Sequence, residues 1–197
     1  MANSAYAGVE EATLADITDL ETMKYGEVLK VKGMVSLSAD AQTSNEATYA
    51  DNGEWLSDAQ DNGFDGSIVF KDPWSDKETR QFIAEHIGYE MLENGNIEKI
   101  ADGVKKPFAF GCKETGVNAG AKRWMYFCEF GKPSVSPTTN TDSKQWRDIE
   151  LPFKAKPIKL PNGKVSSGLT AFKGDANYDT FLDAAPTFTT TTKTTGE

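Results

Sequence analysis

Residues 123–130 read RWMYFCEF and contain the longest unbroken apolar run of the chain, 124–128. In an extended strand, successive side chains point to opposite faces of the sheet. Alternation therefore predicts one face made of Trp124, Tyr126, Cys128 and Phe130, and a second face made of Met125 and Phe127. Because both faces are apolar, we predict that this strand is covered on both sides, as a central sheet strand or at a contact between subunits.

Four more segments alternate in the manner of strands and are rich in β-branched or aromatic residues. They are 28–37, 64–70, 107–113 and 145–155. The sequence GVNAG at 116–120 predicts a hairpin loop before the 123–130 strand. Gly33 lies inside the first segment and indicates a bulge or a close approach of two backbones. Pro152 lacks an N–H group for a sheet ladder, so we predict that the last strand lies at an edge.

One helix is predicted at 76–87, where Phe82, Ile83 and Ile87 form an apolar stripe at helical spacing. Ser75 is the expected N-cap, Glu78 completes a capping box, and Gly88 is a stop signal. Asn94-Gly95 then predicts a tight hairpin. One helix among about seven strands indicates a mainly β, α+β fold: a β-sandwich or partial barrel with one flanking α-helix.

The composition places the chain among folded proteins. It has 197 residues, of which 38% are apolar and 11% aromatic, which is enough for one hydrophobic core and excludes global disorder. The longest apolar run is too short for a transmembrane helix. The N-terminal MANSAYAGVEEAT has neither a basic start nor an apolar core region, so we expect no secretory signal.

The net charge is −9 and the pI is about 4.7. Such a surface repels phosphate backbones, which argues against a protein that binds nucleic-acid grooves or anionic membranes. The two cysteines, Cys112 and Cys128, are too few for a disulfide scaffold and fit free thiols in a reducing cytosol. A cross-strand disulfide remains an alternative at this point.

The charges are unevenly distributed along the chain. Residues 38–66 contain seven acids and no lysine or arginine, whereas residues 151–174 contain five lysines and no acid. Two different complementary surfaces on one protomer suit a head-to-tail contact between copies. The alternative is that both segments are solvated loops.

The residues that carry common enzyme chemistry are sparse. His86 is the only histidine, and its place near the end of the predicted helix indicates a structural role. A zinc site would need more histidine or cysteine ligands than the chain has. The sequence DNGFDG at 61–66 matches a calcium loop poorly and favours a turn into a strand. We therefore predict no enzyme activity, no catalytic residue, no metal and no cofactor.

Several segments follow one another in a familiar order. They are TYADNGEWLSDAQDNGFDGSIVF (48–70), the helix, YEMLENGNI (89–97), KPFAFGCKE (106–114), RWMYFCEFGKPSVSP (123–137) and IELPFKAKPI (149–158). The most specific pieces are YADN at 49–52, GFDG at 63–66 and GKPSVS at 131–136. In this order and spacing the chain resembles the major tail protein, or tail tube protein, of bacteriophages with long non-contractile tails that infect Gram-positive hosts.

The resemblance implies a structural role in the virion. Members of this family form hexameric rings that stack into a tube, and each protomer adds strands to an inner β-barrel through which double-stranded DNA passes. The implied partners are other copies of the chain, the tape measure protein, and the tail terminator and distal tail proteins. The implied location is the phage tail after synthesis in the bacterial cytoplasm, with no membrane and no specific DNA binding.

The resemblance also suggests a division of the chain. We expect a single tail-tube domain over 1–186, a Thr-rich flexible tail over 187–197, and sheets that are completed by oligomerisation. Within the domain, 26–158 is the best-matching core, 38–66 a long acidic loop and 159–186 a C-terminal extension.

The acidic loop is our main candidate for a contact with a neighbouring subunit or ring, because long loops are often functional. The candidate inter-subunit residues are Tyr49, Asp51, Trp55, Phe64, Lys154 and Lys156. The alternative function is a carbohydrate-binding β-sandwich module for adhesion, with Trp55 or Trp74 as the sugar platform. A hydrolase that uses paired carboxylates is the third hypothesis.

Overall fold

The computed structural model describes residues 5–50, 53–117, 119–134 and 148–188; for 5–7, 44–50, 53–60, 117 and 119 it describes the backbone only. Twelve strands and one helix follow each other in this part of the chain. The elements are β1 Ala5–Asp19, β2 Lys24–Val31, β3 Met34–Ala50, β4 Gly53–Lys71, α1 Lys77–His86, β5 Glu90–Met91, β6 Ile97–Glu98, β7 Phe108–Val117, β8 Ala119–Phe130, β9 Asp148–Ala155, β10 Ile158–Lys159, β11 Val165–Ser166 and β12 Gly168–Phe172.

One antiparallel sheet dominates the fold, with the strand order β2-β1-β7-β8-β9-β4-β3. Strand β12 also belongs to this sheet, because it pairs with 121–125 of β8 while β9 pairs with 128–130 on the same edge. The sheet curls until β3 contacts β1 without forming a ladder with it. The predicted mainly β class with one flanking helix is confirmed.

The central strands β1, β7 and β8 of the sheet are buried on both faces. The inner face holds the larger apolar cluster, to which β1, β2, β4, β7, β8, β9 and the helix all contribute. The outer face holds a second cluster around Trp124, Tyr126, Phe181 and Leu182, which is covered by the segment 173–188. The predicted burial of both faces of the 123–130 strand is therefore confirmed.

The predicted facing of that strand is wrong after Tyr126. Trp124 and Tyr126 lie in the outer cluster, whereas Met125, Cys128 and Phe130 lie in the inner one. The register of β8 on β7 shifts between the pairs Phe110–Met125 and Phe108–Cys128. Between these two pairs, β8 advances by three residues while β7 advances by two. The extra residue of β8 forms a bulge, which moves the side chains that follow it to the opposite face of the sheet.

Helix α1 is found where it was predicted, but its N-cap is Asp76 rather than Ser75. The Asp76 carboxylate accepts a hydrogen bond from the backbone N–H of Thr79 at 2.8 Å, which satisfies a free amide of the first turn. This contact lowers the pKa of Asp76. Gly88 ends the helix at φ +80°, and a Cβ there would meet the backbone of Gly103 at 2.5 Å.

Two further expectations for the strands need correction. Residues 28–37 are two strands rather than one, because Gly33 turns the chain at φ +84° and accepts a hydrogen bond from Lys71 N at 2.7 Å; the predicted close approach is confirmed. Strand β9 lies between β4 and β8 rather than at an edge. Pro152 is tolerated where the β8–β9 ladder ends, and its carbonyl accepts from Gly131 N.

The described part of segment 38–66, residues 38–50 and 53–66, is not a loop. It forms most of a long hairpin in which β3 and β4 pair from Met34–Phe70 to Ala50–Gly53. Its many acidic and polar residues predicted a loop. Such residues are compatible with strands, because the ladder satisfies the backbone hydrogen-bonding groups whatever the side chains are.

The C-terminal region is an integral part of the fold. Leu160, Ala171, Phe181 and Leu182 are buried in the outer cluster. The predicted flexible tail begins too early at 187, because the Phe188 ring packs 5.0 Å from that of Tyr126; residues 189–197 lie outside the described part. No helix in the described ranges has the length and apolar character needed to cross a bilayer.

Candidate assembly surface

The outer half of the β3–β4 hairpin stands apart from the rest of the sheet. Strand β9 pairs with β4 only over 64–71. Beyond that point, residues 43–50 and 53–61 pair with each other, and no other strand of the described chain pairs with them. We call 43–50 and 53–61 the arm. Its first strand is roughly 25 Å long at about 3.3 Å per residue.

The base of the arm is fixed by close backbone packing. Gly63 has φ +89°, and a Cβ at this position would overlap the carbonyl oxygen of Ala155. The Asp61 carboxylate accepts a hydrogen bond from Gly63 N at 2.8 Å. Phe64, the next residue, is half-buried against the inner cluster. The arm therefore leaves the sheet at a defined point.

The structure places three of the six predicted contact residues in or beside the arm. Tyr49 is the register partner of Glu54, and Trp55 follows in β4. Phe64 lies at the base, as described above. Asp51 lies outside the described residues. Whether these residues contact another subunit stays a prediction.

The other two predicted contact residues form ion pairs within the chain. Lys154 Nζ lies 2.8 Å from Asp65, and Lys156 Nζ lies 2.8 Å from Glu129. The hydrogen bond from Lys154 to Asp65 raises the pKa of Lys154. The β4–β9 register, with Asp65 opposite Lys154, explains the first pair. Part of the lysine-rich segment is thus neutralised by the acidic segment of the same protomer.

Three other lysines of this segment, Lys159, Lys164 and Lys173, have no acidic partner among the described residues. All three are exposed. Exposed apolar side chains accompany them: Val165 is 70% exposed and Phe172 55% exposed. Lys159 pairs directly with Val165 in the β10–β11 ladder. We use the name lysine face for these five residues of one stretch of chain: Lys159, Lys164 and Val165 lie at the β10–β11 turn, and Phe172 and Lys173 lie at the end of β12.

The lysine face was only partly visible in the sequence. The charge run 151–174 contains these lysines, but the sequence did not show which of its lysines lack an acidic partner among the described residues. Because positions 149, 151, 153 and 155 are apolar, Lys154 lies on the opposite face of the strand. Only the structure shows that β9 pairs with β4, which places Lys154 opposite Asp65.

The single histidine is buried between a helix and a strand. His86 Nδ1 lies 2.6 Å from the carbonyl oxygen of Phe82, and Nε2 lies 2.7 Å from Oδ1 of Asp16, outside hydrogen-bonding geometry. Its ring stacks on that of Phe82 at 3.8 Å. Burial lowers the pKa of His86, and the Phe82 carbonyl and the Asp16 carboxylate oppose this effect. These contacts attach α1 to β1.

The two cysteines are free and buried in the inner cluster. The cross-strand disulfide considered from the sequence is absent. Burial raises the pKa of Cys112 to about 12, so its thiol is a poor nucleophile at neutral pH. Within the described residues, no group of three or more His, Cys, Asp or Glu side chains comes close enough to hold a metal ion.

An open groove of about 870 Å³ lies between β2 and the end of the C-terminal segment. Its apolar part is formed by Tyr25, Val28, Pro161 and Phe188. The Tyr25 hydroxyl donates to the carbonyl oxygen of Tyr126 at 3.0 Å, and burial raises its pKa. The hydroxyl therefore anchors the side chain and is not available as a general base.

No protein-family model matches this chain, and no curated protein matches it.

The tryptophans proposed as a sugar platform differ in their surroundings. Trp74 is half-buried and packs against the inner cluster, and its carbonyl oxygen lies 3.4 Å from Arg80 Nη1. For Trp55 the structure gives the backbone position alone. Trp124 is fully buried, and Trp146 lies outside the described residues.

Proposed function

We propose that this chain is a virion structural protein that assembles into stacked hexameric rings forming a phage tail tube. The tube is a negatively charged conduit that carries double-stranded DNA into the host without binding it specifically. Its partners are further copies of the same chain, the tape measure protein, and the tail terminator and distal tail proteins. The role is structural rather than enzymatic.

The observation that carries this proposal is the arm. A two-stranded ribbon alone in water is at best marginally stable, and free strand edges invite pairing with another chain. The arm is joined to the sheet at a fixed base and pairs with no other strand of the described chain. An element of this kind is explained if it docks on a second copy.

The ends of the curled sheet support the same proposal. Strands β2 and β3 terminate the strand order, and the described residues give neither of them a second ladder. Closing a sheet across subunits removes such edges. The net charge of −9 suits a conduit wall, because it keeps the wall from adhering to a polyanion.

The test removes the arm and keeps its base. Residues 43–61 are replaced by an Asn-Gly turn, which retains Gly63 and the β4–β9 ladder. The wild-type chain is expected to form rings or tubes in negative-stain microscopy at high concentration. The shortened chain is expected to remain a monomer with the circular dichroism and thermal unfolding of a folded β protein.

Two results would contradict the proposal. Normal tubes from the shortened chain would show that the arm is not needed for assembly. A wild-type chain that stays monomeric at every concentration and binds glycans on an array would favour the carbohydrate-binding module instead.

A further inference from the structure

We propose that the arm of one copy docks on the lysine face of a neighbouring copy. This inference rests on the proposed function, because it names the surface through which self-assembly occurs. It assigns the neighbour's contact to Lys159, Lys164 and Lys173, and not to the Lys154 and Lys156 that the sequence suggested.

The first argument is the charge of the arm. Residues 43–50 and 53–61 contain Glu46, Glu54, Asp58 and Asp61 and no lysine or arginine. Glu46 is the register partner of Asp58 in the ladder. Like charges at directly opposite positions destabilise an antiparallel pair. A ribbon with this register is stabilised when a cation from another surface lies beside the two acids.

The second argument concerns which lysines lack an acidic partner among the described residues. Lys154 and Lys156 already lie within 2.8 Å of carboxylates in their own chain. Lys159, Lys164 and Lys173 have no such partner among the described residues, and each is exposed. They belong to one continuous stretch, 159–173, that contains no acid. An acidic ribbon is the complementary partner for such a stretch.

The third argument is the apolar component of both surfaces. Val165 and Phe172 of the lysine face are more than half exposed, while the arm contains Tyr49, Trp55 and Leu56. Interfaces combine aromatic and aliphatic contacts with charges around them. Each surface therefore offers both kinds of contact that the other needs.

Strand β12 adds a reason for docking at this place. Its sequence, GLTAF, has no charged residue, and the described chain gives it a ladder on one side only. Strand β2, which also ends the sheet, carries Lys24, Glu27 and Lys30. Charged side chains protect an edge strand against pairing with other chains. The edge at β12 lacks this protection, and Phe172 of the lysine face belongs to this strand.

The test is a charge swap. The first variant, Lys159→Glu/Lys164→Glu/Lys173→Glu, makes the face acidic. The second, Glu46→Lys/Glu54→Lys/Asp58→Lys, makes the arm basic, because Asp61 is then its only acid. Each should raise the concentration needed for assembly roughly 100-fold or more, because like charges then meet. A third variant that carries both sets of substitutions restores complementarity and should assemble again. Assembly is measured by sedimentation velocity and negative-stain microscopy.

The matched control is Lys77→Glu/Lys99→Glu/Lys105→Glu. These three lysines are also exposed and have no acidic partner among the described residues, and the change in net charge equals that of the first variant. The control should assemble like the wild-type chain. Circular dichroism and thermal unfolding verify that every variant is folded.

The outcomes separate this inference from the proposed function. If wild type and control assemble, and the first variant assembles equally well, the docking surface is wrong while the self-assembling role stands. The docking surface is also wrong if the variant that carries both sets of substitutions fails to assemble. If the wild-type chain never assembles, both proposals are overturned.

Discussion

The indole Nε1 of Trp124 donates a hydrogen bond of 2.9 Å to the carbonyl oxygen of Phe181, and both groups are buried. Trp124 lies in β8, whereas Phe181 belongs to the segment that covers the outer face of the sheet. Lys122, two residues earlier, donates to the carbonyl oxygen of Asp179 at 3.0 Å. These two bonds fasten the C-terminal segment over the outer cluster.

Replacing Trp124 by Phe should lower the free energy of unfolding by roughly 2–3 kcal/mol. The substitution leaves a buried carbonyl without its donor and also creates a small cavity. Urea denaturation measures the loss. Trp74→Phe is the matched control, because that side chain is only half-buried, and it should cost about 1 kcal/mol or less. Equal losses at the two positions would show that the Phe181 bond contributes nothing.

Gly63→Ala should be far more destabilising than Gly163→Ala. Both glycines have positive φ, +89° and +82°, so an alanine is strained by about 1 kcal/mol at either place. At Gly163 nothing lies within 4 Å of the added Cβ, whereas at Gly63 the Cβ would overlap Ala155 O. The difference in melting temperature between the two variants reports the contact of Gly63 with the Ala155 carbonyl at the base of the arm. Similar melting temperatures would contradict that contact.

His86 should make the protein less stable in acid. Burial lowers its pKa in the folded state, while the unfolded chain has a pKa of about 6.5. The unfolded state therefore binds the proton first, so the contribution to stability is present above about pH 6.5 and is lost as the pH falls through the folded pKa. The signal of the only histidine in an NMR titration reports that pKa directly. A pKa above 6.5 in the folded protein would contradict this account.

Asp16→Asn should lower the pKa of His86 further. The Asp16 carboxylate, 2.7 Å from Nε2, favours the charged ring, and the amide removes that charge with little change of shape. The same NMR titration measures the shift. An unchanged pKa would mean that the carboxylate does not act on the ring in solution.

The thiols should be unreactive until the protein unfolds. Cys112 and Cys128 are both buried and free, and burial raises the pKa of each. A thiol reagent such as Ellman's should label neither in the native protein at pH 8. In guanidinium without reductant it should label two thiols per chain. Fewer than two would reveal a disulfide that the structure does not contain.

Patterns of apolar residues that are close in sequence predicted strands β7 and β9 and helix α1. Strand β7 keeps Phe108, Phe110 and Cys112 on the inner face, and β9 keeps Leu151 and Phe153 there, because each strand alternates without interruption. The helix was predicted from its apolar stripe, and its cap was misplaced by one residue since Ser75 and Asp76 are both good N-caps.

Other elements depend on contacts that are distant in sequence. Strand β1 was not predicted, because its buried stretch 12–15 is covered on both faces and contains small residues in place of an alternating pattern. A register shift between Glu10 and Thr13, with Glu11 at φ 55°, further disrupts its periodicity. Segment 173–188 has no regular strand, and its order depends on contacts with Lys122, Trp124 and Tyr126 of β8.

The candidate site was predicted in part. The uneven charges marked the two segments that contain the arm and the lysine face, and Tyr49, Trp55 and Phe64 all lie on or at the base of the arm. The tripeptide Asp51-Asn52-Gly53 is a hairpin-turn signal and would have indicated strands in place of a loop. The division of the lysines into paired and unpaired could not be foreseen, because it depends on β9 lying beside β4.

The bond between Trp124 and Phe181 joins residues 57 positions apart. At a synthesis rate of about 5–20 residues per second, a ribosome adds the second residue roughly 3–11 s after the first. Throughout that interval the growing polypeptide lacks the cover for its sheet. The outer face of each protomer is therefore completed only after residue 181 has been synthesised, several seconds after the arm has left the ribosome.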